Sequence, residues 1–113
     1  MSTSRNLSCA QTASTIQRFR RLAAAWRANR GPTSSLTEMA MRPEYQQIIG
    51  MGRDAVPLLL QELQREPDHW SWALVAITGE DPVPPEDRGK LAAMTRAWLQ
   101  WGKEHGHLES NAT

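Results

Sequence analysis

Apolar side chains recur at spacings of three and four residues along most of this 113-residue chain, and this period constrains the fold more than any other feature. It is the period of an α-helix with one buried face. In residues 12–29, the stripe consists of Ile16, Phe19, Leu22, Ala23 and Trp26. No segment shows the sustained two-residue alternation of a half-buried strand. The sequence therefore predicts an all-α fold without a sheet.

Prolines, glycines and capping residues divide this pattern into separate helices. After the helix over 12–29, we expect helical segments over 36–41, 43–50, 55–65, 69–78 and 88–105. Ser35 with Glu38 forms a capping-box pattern, and Pro43 suits the first turn of the next helix. Asp54 and Asp68 are expected to cap the following two helices, and Gly79 is expected to end the second of them. The prediction is a small bundle of about five helices.

The length allows one domain and no more. We expect a single helical domain over 12–106, with disordered tails over 1–11 and 107–113. No run of eighteen apolar residues is present, and the first ten residues lack the apolar stretch of a secretion signal. The chain is therefore expected to be soluble and cytoplasmic, without a membrane partner.

The large apolar residues on the inferred stripes are expected to form one core. Trp70 and Trp72 lie two positions apart, so they cannot both face the same side of a helix. If Trp70 is buried beside Ala73 and Leu74, Trp72 projects toward solvent or a partner. The predicted core consists of Phe19, Trp26, Ile48, Leu59, Leu63, Leu74, Ile77, Trp98 and Trp101.

The stretch Gly52-Arg53-Asp54-Ala55-Val56-Pro57-Leu58-Leu59-Leu60, followed by Leu63 and Ala73-Leu74, resembles a HEAT-like repeat. Ile77-Thr78-Gly79, with Trp98 and Trp101 further on, is similar to the end of some bacterial HEAT-like arrays. The resemblance covers about residues 50–102 and implies one helical hairpin that binds partners through a helical face. It implies no enzyme activity. A long solenoid needs at least three such units, and this chain has length for one.

The net charge of +1 is an average over two unlike halves. Residues 1–53 carry eight Arg and two acidic residues, whereas residues 54–113 carry five basic and ten acidic residues. Such asymmetry indicates either a basic surface for an acidic partner or two halves that attract each other within one fold. The nucleic-acid hypothesis depends on the basic residues of the first helix and its end, which are Arg18, Arg20, Arg21, Arg27 and Arg30.

The residues that commonly carry chemistry do not form a recognisable catalytic or metal-binding pattern. Cys9 lies in the predicted tail, far from any His in the sequence, so a nucleophile with its base is not indicated. His105 and His107 are metal-ligand types, but they lie at a helix end without supporting residues. Gly50-Met51-Gly52 lacks the lysine and the length of a phosphate-binding loop. We therefore predict no enzyme activity, no cofactor, no metal and no small-molecule substrate.

The function most consistent with these patterns is a small, non-catalytic protein–protein interaction module, an adaptor. An exposed tryptophan is typical of an interface anchor, and the acidic loop over 80–87 suits a basic partner or the arginine-rich helix of a second copy. The candidate partner-binding residues are Trp72, Arg20, Arg27, Glu80 and Asp81. Two alternatives stay open: a nucleic-acid-associated regulator, and a neutralising partner in a toxin–antitoxin or phage-defence pair.

Overall fold

The computed structural model describes residues 2–29, 31 and 35–108, and the side chains from residue 13 onward. Every regular element in this part of the chain is helical, so the predicted all-α fold is confirmed. None of these helices is long and apolar enough to cross a membrane. The helices are α1 (Ser2–Asn29), α2 (Leu36–Ala40), α3 (Pro43–Gly50), α4 (Ala55–Arg65), α5 (Ser71–Thr78) and α6 (Leu91–Glu104), with short 3₁₀ turns at Gly52–Asp54 and Pro85–Asp87.

Helix α1 begins at Ser2, well before the predicted start at residue 12. No proline or glycine occurs between residues 2 and 29, so nothing in the backbone stops the helix from continuing toward its N-terminus. The predicted start of this helix at residue 12 is therefore wrong, and the predicted tail over 1–11 stays a prediction.

The other end of the chain also differs from its predicted tail, because the side chain of Leu108 packs against the core. The predicted boundary of the tail at residue 107 stays a prediction. Residues 109–113 lie outside the described part of the chain.

Several helix ends lie where the local sequence predicts them, whereas the predicted caps at Asp54 and Asp68 are not formed. The Ser35 hydroxyl accepts a bond of 3.2 Å from the backbone N–H of Glu38, and Gly79 ends α5 with a φ of +73°. Asp54 precedes α4 but makes no capping bond with its side chain, because the chain enters α4 from a 3₁₀ turn that is already helical in φ and ψ. Asp68 does not cap α5, which begins at Ser71. Its carboxylate instead accepts from Arg27 and from the N–H of His69.

The hydrophobic core contains eight of the nine residues predicted for it. The exception is Ile77, which lies near the end of α5 and is only partly buried. Val83, in the acidic loop over 80–87, is also buried. Among the largest fully buried side chains are Trp26, Trp70, Trp98, Tyr45, Ile48, Leu59, Leu60 and Leu74.

Four aromatic rings join α1 to α3 and to the start of α5. The ring centroids of Trp26 and Trp70 are 4.5 Å apart, and Tyr45 stacks on Trp70 at 5.5 Å with an interplanar angle of 11°. The ring of Phe19, two turns before Trp26 on α1, lies 6.2 Å from that of Trp70. The indole N–H of Trp26 donates to the carbonyl of Met39 at 2.8 Å. This cluster holds the segment before α5 against the body of the protein.

Helix packing brings together the two parts of the chain that form the candidate site. Helix α1 packs on α3, and α4 packs on both α5 and α6. The predicted hairpin of α4 and α5 is therefore formed, and its HEAT-like nature stays a prediction. The start of α5 and the first half of α6 lie on neighbouring sides of a shared cleft.

Candidate functional site

The cleft has a volume of about 190 Å³ and is mainly apolar. One part of its lining comes from Asp68, His69, Ser71 and Trp72, and another comes from the first half of α6. Leu36 lies at the start of α2, and its side chain is one of the few large apolar groups that are exposed among the described residues. The complete lining is Leu36, Tyr45, Leu63, Asp68, His69, Ser71, Trp72, Leu91, Met94, Thr95 and Trp98.

Trp72 lies at the opening of this cleft and keeps 44% of its surface exposed. Trp70 is completely buried in the aromatic cluster, so the outward position of Trp72 follows from the helical period. The predicted contrast between these two tryptophans is confirmed. Between its terminal Ser71 and Thr78, helix α5 has only apolar side chains, yet Trp72 and Ala76 face outward one turn apart. A helix that is apolar all round is usually covered on every side.

Tyr45 fixes the wall of the cleft that carries Trp72. Its buried hydroxyl donates to the carbonyl of His69 at 3.0 Å and accepts from the N–H of Ala73 at 2.9 Å. Burial raises the pKa of Tyr45 above its ordinary value, because the phenolate would lose its hydration. The neutral hydroxyl of Tyr45 in α3 is thus hydrogen-bonded to the backbone just before α5 and to the backbone in the first turn of α5.

The polar groups that line the cleft differ in how far they are already bonded. The Ser71 hydroxyl accepts from the indole N–H of Trp98 at 2.9 Å. The Asp68 carboxylate is bonded to Arg27 and to the N–H of His69. Thr95 keeps only 7% of its surface exposed, and its hydroxyl has no hydrogen-bond partner among the described residues. The cleft therefore combines an apolar surface with one unsatisfied hydroxyl.

Arg27, which was predicted to bind a partner or nucleic acid, is engaged inside the fold. Its guanidinium lies 2.6 Å from the carboxylate of Glu62 and 3.2 Å from that of Asp68, and it also donates to the carbonyl of Glu66. Burial lowers the pKa of Arg27, but hydrogen bonds to Glu62 and Asp68 outweigh this effect and raise it above its ordinary value. Arg27 thus links α1 to the end of α4, and its predicted role in binding a partner or nucleic acid stays a prediction.

The remaining candidate arginines do not form one surface. Arg18 and Arg21 are exposed one turn apart, whereas Arg20 faces the side of α1 that contains Arg27 and lies near Arg65. Arg30 lies outside the described residues. The structure thus leaves three of the five predicted arginines exposed, on two sides of α1, and none of them lines the cleft.

Glu80 and Asp81 also make contacts within the chain. Glu80 accepts from the indole N–H of Trp101 at 3.1 Å, and Asp81 accepts from the N–H of Val83 and from Arg88. Neither residue lines the cleft that contains Trp72. The five predicted partner-binding residues are therefore not brought together, and Trp72 is the member that marks the candidate site.

The two histidines near the C-terminal end of α6 pack on a tryptophan. His105 stacks on Trp101 at a centroid distance of 4.2 Å, and His107 does so at 5.4 Å. Within the described part of the chain, no three His, Cys, Asp or Glu side chains are grouped as metal ligands. Both imidazole rings therefore lie against Trp101, which belongs to the hydrophobic core.

Sequence reasoning missed most of the cleft lining. One helical face contains Leu91, Met94, Thr95 and Trp98. The polar Thr95 on this otherwise apolar stripe was the sequence feature that could have indicated the cleft. Leu36 gave no such signal, because its place in the lining depends on how the helices pack. Searches against protein families, curated proteins and solved structures found no match for this chain.

Proposed function

We propose that this protein is a small, non-catalytic cytoplasmic adaptor that binds an apolar helix of another protein through the outer face of α5. The observation that carries the proposal is the exposure of Trp72 on a helix whose interior positions are all apolar. Trp72 and Ala76 share one face, and Leu36 extends the apolar surface across the cleft. Covering this face would remove a large apolar area from water.

The nature of α5 favours a helical partner over a flat polar surface. A neighbouring helix presents apolar side chains every three or four residues, which matches the spacing of Trp72 and Ala76. A tryptophan at the centre of such a contact commonly contributes a large part of the binding energy. The resemblance to a HEAT-like hairpin, which stays a prediction, points to the same type of binding.

A pull-down from the native host followed by a binding measurement tests this proposal. The native chain should capture a protein that Trp72→Ala fails to capture. With that protein purified, Trp72→Ala should raise the dissociation constant about 30-fold, equivalent to about 2 kcal/mol. Met41→Ala is the matched control, because Met41 is 53% exposed and does not line the cleft. Equal binding by the native chain and Trp72→Ala would refute the proposal.

Nucleic-acid binding is the second proposal, and it depends on the exposed side chains of Arg18, Arg20 and Arg21. Phosphate contacts by three arginines would support only weak, salt-sensitive binding. Because these side chains lie on two sides of α1 and Arg27 is bonded to Glu62, we rank this proposal below the adaptor.

A further inference from the structure

The hydroxyl of Thr95 is an exception among the buried polar groups of the helices. Thr78 shows the usual solution, since its hydroxyl donates to the carbonyl of Leu74, four residues earlier, at 2.7 Å. Thr95 makes no such bond, and its oxygen has less than 1 Å² of accessible surface. A buried hydroxyl without a partner costs free energy, so its presence needs a physical reason.

The position of Thr95 supplies that reason, because this residue lines the apolar cleft. The indole N–H of Trp70 is also buried without a partner, but Trp70 is not part of the lining. Threonine in a helix adopts two side-chain rotamers, so a rotation about one bond redirects its hydroxyl without moving the backbone. An unsatisfied hydroxyl and an apolar cavity therefore coincide at one place.

The dimensions and lining of the cleft limit what it can hold. An apolar cavity of about 150 Å³ is large enough for benzene, and this cleft measures about 190 Å³. Trp72 and the flexible side chain of Met94 offer aromatic and sulfur contacts to a planar ring. One six-membered ring with a small substituent matches this space.

The electrostatic surroundings favour a neutral molecule. The Asp68 carboxylate at the edge of the cleft is already bonded to Arg27 and to the N–H of His69. Among the described residues, no lysine or arginine lines the cleft, so an anion would meet no permanent opposite charge there. The Ser71 hydroxyl is occupied as an acceptor by Trp98. Thr95 thus offers the buried hydroxyl that is left to bond a ligand.

We propose that this cleft binds a small, neutral aromatic molecule with one hydrogen-bonding group, such as a phenol, and that Thr95 bonds that group. The ring lies against Trp72, and the polar substituent points to the Thr95 hydroxyl. This inference goes beyond the adaptor proposal and does not depend on it, because the ligand is a free small molecule. Binding of the ligand and binding of a partner are tested by different variants.

Phenol and toluene are the probes, because they have nearly the same shape and differ in the hydroxyl group. Each is titrated into the full chain, and binding is followed by calorimetry and by the indole N–H signals of Trp72 and Trp98. The native chain should bind phenol about tenfold more tightly than toluene, since one hydrogen bond separates the two ligands. Thr95→Val, which keeps the shape, should abolish this preference. Thr95→Ser, which keeps the hydroxyl, should retain it.

A cleft-filling variant, Met94→Trp, should abolish binding of both probes while the chain stays folded, as judged by its circular dichroism. The inference would be overturned if neither probe bound saturably to the native chain. It would also be overturned if Thr95→Val kept the preference for phenol, or if the hydroxyl bonded only an ordered water in a crystal soaked with phenol. Loss of partner binding in Trp72→Ala with unchanged phenol preference would support the adaptor proposal separately.

Discussion

The guanidinium of Arg27 lies 2.6 Å from the carboxylate of Glu62, and this contact joins the basic first helix to the acidic second half of the chain. Asp68 and Glu66 bond the same guanidinium. Part of the charge asymmetry of the sequence is thus neutralised by contacts within the fold. This agrees with the interpretation that the two halves of the chain attract each other. The other basic side chains described on α1, at Arg18, Arg20 and Arg21, remain exposed.

Arg27→Gln should lower the free energy of unfolding by about 3 kcal/mol. The substitution removes the guanidinium that lies 3.2 Å from the mostly buried carboxylate of Asp68, and it leaves Glu62 with Arg65 at 2.7 Å in place of two cations, which is costly. Urea-induced unfolding measures the change. Arg21→Gln, on the exposed face of the same helix, serves as the control and should change stability by no more than about 0.5 kcal/mol. Similar losses in the two variants would contradict this assignment.

Leu59→Ala should destabilise the protein by about 2–5 kcal/mol, because Leu59 is completely buried and its truncation leaves a cavity. This is a large part of the stability of a domain of this size. Thermal unfolding provides the measurement, with the exposed Met41→Ala as a comparison. A melting temperature unaffected by Leu59→Ala would show that the core has been placed incorrectly.

Tyr45→Phe should cost about 2 kcal/mol at pH 7, because the carbonyl of His69 and the N–H of Ala73 lose their partner. The cost should shrink at alkaline pH. The pKa of Tyr45 is raised in the folded state, so the unfolded chain ionises first, above about pH 10, and native stability then falls by about 1.4 kcal/mol per pH unit.

Below about pH 10, Tyr45 keeps its proton in both the folded and the unfolded chain, so the stability difference between the native chain and Tyr45→Phe should stay constant there. Tyr45 is the sole tyrosine of the chain, so the phenolate absorbance reports this group alone. Unfolding curves of the native chain and Tyr45→Phe between about pH 7 and pH 11.5 measure the effect. A gap that widened with rising pH would have the wrong sign for a raised pKa.

Replacing Arg18, Arg20 and Arg21 together by Gln should leave partner capture unchanged. Arg27 is kept in this variant, because its loss would destabilise the domain rather than test a surface. In gel-shift assays near physiological salt, the native chain should show negligible affinity for DNA or RNA. Tight binding that falls steeply with salt and disappears in the triple variant would favour the nucleic-acid proposal instead.

Chelation should leave the melting temperature unchanged, since the ring contacts of His105 and His107 are to Trp101. The comparison uses the native chain with and without EDTA, together with elemental analysis of the purified protein. One zinc ion per chain, released by the chelator with a fall in melting temperature, would contradict this expectation.

The helices and much of the core could be predicted because they depend on local rules. Spacing on a helix determines which side chains share a face, and this placed Trp26 and Leu59 inside and separated Trp70 from Trp72. Proline and glycine act on their own backbone, so Pro43 and Gly79 marked helix ends correctly. The start of α1 was missed because a polar composition favours disorder, whereas no residue there breaks a helix.

The sequence by itself therefore determined the all-α class, the main helices and the outward direction of Trp72. The tertiary structure decided which surfaces meet. The bond of Arg27 to Glu62 and the presence of Thr95 and Trp72 in one cleft depend on the packing of helices distant in sequence. The helical period determines which way a side chain points from its own helix. Which side chains of two helices touch depends on the distance and crossing angle between the helices, and these are fixed only when the core is packed.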